Sequence, residues 1–157
     1  MKRQGGFTLV ELMVVVALIT LALGAATLSF SRLNEKYTVE SEIKEIYSIL
    51  MQARNDTSTT NTTRLVVLGA NQIQTGIDAD GDNVIDGVPV TKNYPRFNIT
   101  SNNGPLVAFD RRGITNNLQT IRIQGFAAGS SPALDCIAVA NTRINMGVMT
   151  GGNCVQR

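Results

Sequence analysis

The 157-residue chain has no histidine, no tryptophan and only two cysteines. Without an imidazole, a His-based metal centre, a Ser-His-Asp triad and a Cys-His pair are all excluded. Charge is scarce, at 17% of residues, and nearly balanced, with 14 Lys+Arg against 12 Asp+Glu. Lys2 and Arg3 supply two of those cations at the very start, so the remainder carries 12 of each sign. A general nucleic-acid scaffold carries a clear basic excess, and this chain does not. What is present is apolar material, 43% of the chain. That is too much for a wholly disordered protein, and the length suits one compact domain rather than two.

The apolar residues are unevenly spread. Phe7 to Phe30 holds a single charge, Glu11, and a few small polar residues. As a helix this run is about 36 Å long, enough to cross a bilayer core of roughly 30 Å. Lys2 and Arg3 on its short leading side place that end in the cytoplasm and the body outside it. Two cysteines in a small body suit that compartment. Three readings compete: a secretory signal peptide cut near Ala22-Leu23-Gly24-Ala25-Ala26, an ordinary anchor, or an anchor that is also an assembly element. Glu11 bears on the choice, because a carboxylate at the head of a hydrophobic segment costs energy in lipid unless it has a partner. Its presence points to a functional partner; its nearness to the end of the segment lowers the cost and leaves a tolerated interfacial acid as the alternative.

Beyond Phe30 the helical pattern continues without Gly or Pro to Arg54. Val39, Ile43, Ile46, Leu50 and Ala53 recur three or four apart, with Ile49 beside them, and share one face. Glu40 and Lys44 form an i,i+4 pair on another side. The spacing predicts one long helix over 7–54, apolar all round in its first half (7–30) and amphipathic in its second. The second half needs a sheet to bury its stripe. Asn55 to Thr63 reads as a polar break. Seven β-like runs follow: Arg64–Leu68, Asn71–Gln74, Arg96–Thr100, Leu106–Phe109, Leu118–Gln124, Leu134–Ala140 and Thr142–Val148. The fold class is α+β, a long N-terminal helix packed on a small antiparallel β-sheet head over 55–157.

The stretch Lys2-Arg3-Gln4-Gly5-Gly6-Phe7-Thr8-Leu9-Val10-Glu11 resembles the type IV prepilin signature: a short basic leader (1–6) ending in Gly, then Phe-Thr-Leu-x-Glu and a hydrophobic run. The resemblance implies that a membrane aspartyl prepilin peptidase cuts between Gly6 and Phe7. Phe7 would become an N-methylated terminus, and Glu11 would pair with the α-amine of Phe7 on a neighbouring subunit. It further implies storage in the bacterial inner membrane as a single-pass protein, then assembly into a periplasmic pseudopilus or a surface pilus. The partners implied are other pilin or pseudopilin subunits, the peptidase, membrane lipid and an inner-membrane assembly platform. Gly24 would weaken the helix by about 1 kcal/mol and is the candidate site of local melting during assembly. The helix carries no Pro, so such melting would be slight.

The head gives a finer resemblance. Leu106-Val107-Ala108-Phe109-Asp110-Arg111-Arg112-Gly113-Ile114, with Thr120-Ile121-Arg122-Ile123 after it, is similar to H-type minor pseudopilins of type II secretion and to FimT-like minor pilins. Cys136 to Ile144 resembles their closing hairpin. FimT-like members that bind DNA carry a Gly-Arg-x-Arg motif there. Here Thr142-Arg143-Ile144-Asn145 keeps one Arg only, so a nucleic-acid partner is not expected, although Arg111, Arg112, Arg122 and Arg157 add charge. A major pilin and a DNA-binding uptake subunit stand as alternatives, and an enzyme is not expected.

Two further features point to ligation chemistry. Cys136 and Cys154 would close a 19-residue loop, stabilising the Gly-rich tail by about 3 kcal/mol on the chain-entropy estimate; two free thiols are the alternative. Asp78, Asp80, Asp82 and Asp86 stand at relative positions 1, 3, 5 and 9, where carboxylates can converge on a hard cation. The spacing resembles the first nine positions of EF-hand or dockerin calcium loops. It departs from them in placing Gly81 before Asp82 and Pro89 at position 12. A structural Ca²⁺ and a merely solvated acidic turn both remain open. No cofactor is required for catalysis.

Overall fold

A computed structural model describes residues 6–157, apart from the side chains of Ala25, Ala26 and Leu28. The leader residues Lys2, Arg3, Gln4 and Gly5 lie outside the described residues, and the alternative signal-cleavage site at Ala25-Ala26 does so in part.

One helix, α1 (Leu9–Thr60), runs for 52 residues, about 78 Å. Thr8 starts it as an N-cap residue in extended conformation (φ −79°, ψ 151°). Asn61 ends it in the left-handed region, at φ 50°. The helix therefore outlasts the expected boundary at Arg54. The Asn/Thr-rich stretch does not break it, because its hydroxyls bond back to the preceding turn: Thr57 to the Arg54 carbonyl at 2.7 Å, Thr59 and Thr60 to that of Asp56 at 3.0 and 2.7 Å. Thr57 also extends the buried stripe. Val39, Ile43, Ile46, Leu50 and Thr57 are wholly buried, and Ala53 nearly so. The helix is continuous through Gly24.

The head is built from nine strands among the described residues, all paired antiparallel. They are β1 (Thr63–Leu68), β2 (Gln72–Asp78), β3 (Asp86–Asn93), β4 (Asn98–Ser101), β5 (Leu106–Phe109), β6 (Gln119–Gln124), β7 (Cys136–Val139), β8 (Ile144–Thr150) and β9 (Asn153–Gln156). They form two sheets, in the orders β3-β2-β1-β5 and β4-β6-β7-β8-β9. One core joins them to α1, with Val66, Ile73, Val107 and Phe109 from the first sheet and Ile121, Ile137 and Val139 from the second. Gln119 sits on the buried face of β6. It tolerates burial because its Nε2 donates to the Leu106 carbonyl at 3.1 Å and its Oε1 accepts from Ser101.

Two strands were not foreseen. β3 contains Pro89, which the sheet accommodates because β3 is an edge strand and its register with β2 shifts between Thr75 and Ile77. β9 is the tail after the Gly151-Gly152 turn, where φ is +58° and +87°. Cys136 and Cys154 are joined, with Sγ–Sγ 2.03 Å. They bond although β8 lies between their strands, because β9 closes over Gly147. A Cβ at Gly147 would strike the Val155 carbonyl. Gly147→Ala is therefore expected to displace β9 and hinder the Cys136–Cys154 bond. Thiol titration of the denatured variant should find free sulfhydryls absent from the wild type, and an unchanged thiol count would contradict the close approach.

Candidate functional site

Gly6 and Phe7 precede the helix. Both are exposed, Phe7 at 87%, and nothing approaches the position a Cβ would take on Gly6. The bond between them is open to an enzyme that needs close contact with the backbone. Glu11 lies one turn in and is bonded to Thr8. The Thr8 amide and hydroxyl both donate to Glu11 Oε2 at 3.3 Å, and the Glu11 amide donates to Thr8 Oγ1 at 3.2 Å. This reciprocal capping box satisfies two backbone donors at the helix start. Thr8 had no role assigned from sequence, although Thr-x-x-Glu before an apolar run is the signature of such a box.

The described side chains of the helix from Leu9 to Phe30 are all exposed. Glu11 is the single charge in this strongly apolar stretch. Leu9, Leu12, Met13, Leu21 and Phe30 are all more than half exposed. The segment is long and apolar enough to cross a membrane.

The acidic loop spans the β2–β3 connection. Asp78, Asp80 and Asp86 can bring carboxylate oxygens within 4.8 Å of one another, so three of the four predicted ligands converge. Asp82 does not join them. Gly81 (φ +86°) and Asn83 (φ +64°) turn the chain on either side of it, and Asp82 Oδ1 instead accepts the Val84 amide at 2.7 Å. Asn83 thus takes the left-handed geometry open to it. Asp78 is nearly buried and receives the amides of Gly81 and Asn83 at 2.6 and 3.2 Å, while Asp86 receives that of Ala79 at 2.7 Å. Three carboxylates can in principle chelate a divalent cation. They supply fewer than the six to eight oxygens Ca²⁺ takes, so backbone carbonyls or water would complete the shell.

The arginines singled out in the sequence are not gathered in one place. Arg122 lies on β6 with its Nε 3.3 Å from Thr100 Oγ1. Arg157 lines a cleft with Lys36 near the base of the head. The turn that holds Arg111 and Arg112 does meet the turn that holds Arg143, through the Thr115 amide on the Asn141 carbonyl at 3.1 Å. In the first of these turns, Arg112 is ion-paired to Asp110 at 3.0 Å. Partial burial would raise the Asp110 carboxyl's pKa, but bonds from the Ile114 amide and from Arg112 outweigh it and hold the group below its ordinary value.

The family described as the prokaryotic N-terminal methylation motif matches residues 1–27. Two crystal forms of the type IV minor pilin FimU from Pseudomonas aeruginosa are similar in structure. One has TM-score 0.59 and 12% identity, covering 78% of this chain and 96% of FimU. The other has TM-score 0.54 and 12% identity, covering 74% and 97%. No curated protein matches the chain significantly. What is shared with FimU is the fold. A long N-terminal helix on an antiparallel β head is the pilin architecture.

Because the Asp110 pKa is lowered on folding, its contribution is present above the unfolded carboxylate value near 4 and fades as pH falls through the folded value. Asp110→Asn should lower Tm at pH 7, and the variant's Tm should fall less steeply than the wild type's between about pH 5 and 2. Parallel Tm–pH curves would remove Asp110 from the acid limb.

Proposed function

We propose that this chain is a structural, non-catalytic subunit of a type IV pilus or type II secretion pseudopilus, and within it a minor component of the H-type or FimT-like kind. The observation that carries the reading is the helix itself. Its C-terminal half buries one stripe in the head, while its N-terminal half is apolar, exposed and preceded by an accessible Gly6–Phe7 bond. A segment of that kind is stable in lipid or in a bundle of like helices, and not in water. The methylation-motif match over residues 1–27 supports processing at that bond. Likeness to a minor pilin supports the minor role.

In this reading the subunit waits in the bacterial inner membrane with its leader in the cytoplasm, and the prepilin peptidase cuts after Gly6. The new Phe7 ammonium then lies one residue before the N-cap, where the positive end of the helix macrodipole opposes it. Glu11 offsets that charge. Before assembly Thr8 holds Glu11 within its own chain, and in the filament the carboxylate turns to the Phe7 amine of a neighbour. Burying one charge without the other is costly, which makes the pair a registration device for incoming subunits. The assembly platform supplies the force for withdrawal from lipid.

Intact mass and N-terminal peptide mapping of protein from native membranes or sheared filaments should give a chain beginning at methylated Phe7. A chain beginning after Ala26 would overturn the reading. Glu11→Val should still be processed and inserted but should be depleted from the filament fraction by at least about tenfold, a cost of about 1.4 kcal/mol or more per docking event. Wild-type incorporation of that variant would leave Glu11 without an assembly role.

We also assign the Asp78–Asp86 loop a structural Ca²⁺, held by Asp78, Asp80 and Asp86. Chelator should then lower the Tm of the full chain, and calcium should restore it, while Asp86→Asn should respond to neither. Equal Tm values with and without chelator would reduce the loop to a solvated turn.

A further inference from the structure

Just beyond the apolar run, α1 carries Arg32 and Lys36, one turn apart on the same side. At 1.5 Å per residue they stand about 3 and 9 Å past Phe30. The polar layer on each side of a bilayer is about 5–7 Å deep, so when Leu9 through Phe30 occupy the core, Arg32 lies within that layer and Lys36 just beyond its outer edge. Like charges at this spacing repel along a helix unless an anion lies between them. Among the described residues, no carboxylate forms a salt bridge with Arg32, Lys36 or Arg157.

The head supplies the rest of the surface. The connection between β6 and β7 is strapped to α1 at this level. Ser130, itself buried, donates its hydroxyl to Glu35, and the Ala133 amide donates to Glu40 Oε1 at 2.8 Å. Both glutamates keep their charge but point to the loop, and among the described residues neither forms a salt bridge with Arg32 or Lys36. The strap leaves Ala127, Ala128 and Gly129 exposed at its tip, small side chains that let a ligand approach the backbone. Between strap and helix lies an open cleft of about 410 Å³, lined by Lys36, Arg157, Phe126, Pro132 and Asp135 among others. The acid in that wall, Asp135, is nearly buried and accepts the Met149 amide at 2.7 Å. Tyr37, 59% exposed next to Lys36, is the residue type that settles at headgroup level.

We propose that this base of the head is a docking surface for the phosphate of an anionic phospholipid in the leaflet the helix leaves, engaged while the subunit is stored in the membrane. Arg32 and Lys36 hold the phosphate, Arg157 closes the cleft from the head, and the strap tip rests on the headgroups. The occupant is lipid because the surface is continuous with the apolar segment and lies at headgroup depth. The inference rests on the membrane-stored reading. Assembly would then have to break this contact as well as withdraw the helix, so the site holds an unassembled subunit upright and in register with the membrane.

The full chain is reconstituted in vesicles of phosphatidylcholine alone, or of phosphatidylcholine with phosphatidylglycerol. Hydrogen exchange is followed in the 126–133 strap and protease protection in the 9–30 segment. With phosphatidylglycerol, strap exchange should slow several-fold; the Arg32→Gln/Lys36→Gln variant should lose that slowing, and Arg111→Gln, on a distant turn, should keep it. A protected 9–30 segment with equal strap exchange in both lipids would overturn the headgroup site and leave the membrane reading intact. An unprotected 9–30 segment would overturn both. Inorganic phosphate added to phosphatidylcholine vesicles and producing the same slowing would overturn lipid as the occupant in favour of the free anion.

Discussion

Everything in this molecule hangs on one helix being asked to satisfy two environments. From Val39 to Thr57, α1 buries a single stripe against both sheets, and the apolar side chains of Val39, Ile43, Ile46 and Leu50 are wholly inaccessible to water. Each buried Val, Ile or Leu contributes about 1.5–3 kcal/mol relative to exposure. That stripe anchors the head and fixes its orientation on the helix. From Leu9 to Phe30 the same helix is apolar nearly all round, and its described side chains are exposed. The head does not cover it, and in the proposed function lipid or other copies do.

The junction between the two halves concentrates the polar chemistry. Glu35 and Glu40 strap the β6–β7 connection to the helix, Lys92 meets Glu45 at 2.8 Å, and Arg96 reaches Thr38. Tyr94 is buried against this region, and burial, with the carboxylates of Glu45 and Glu42 nearby, raises the pKa of its hydroxyl. These contacts lie where a force applied to the helix would be transmitted to the head. The polar pairs are exposed or partly exposed, and each is individually weak. Cohesion between helix and head therefore falls to the hydrophobic stripe, while the disulfide pins β9 to β7 within the head.

The head also shows how a short chain completes a second sheet. β8 serves two partners, β7 through Ile144–Gly147 and β9 through Gly147–Thr150. Gly147 is common to both, and its missing side chain is what allows β9 to close over the sheet. Gly76 plays a similar part at the other end, where a Cβ would strike the Ile85 side chain. The acidic loop is thus mounted on a ribbon whose bend depends on a residue without a side chain.

Much of this was legible in the residues alone. Periodicity of about 3.6 from Val39 to Ala53 identified the buried face, because only one face of a helix can meet a sheet. Alternation in Gln119–Gln124 identified β6, because its two faces meet core and solvent. Glu11 stood out because a charge in an apolar run is costly without a partner, whereas the leader and Phe7 stood out only through their resemblance to the prepilin signature. Other features were written in the sequence but weakly: Thr8-x-x-Glu11 as a capping box, and Gly151-Gly152 as the turn into β9. The rest was decided by tertiary structure. Helix α1 passes through Asn55–Thr60 because a buried Thr57 and back-bonding hydroxyls override low intrinsic propensity. β3 admits Pro89 only because it is an edge. Asp82 leaves the acidic cluster because backbone dihedrals, not spacing, aim a carboxylate. Period and side-chain chemistry belong to each segment by itself; which neighbours it meets depends on contacts made far away in the chain.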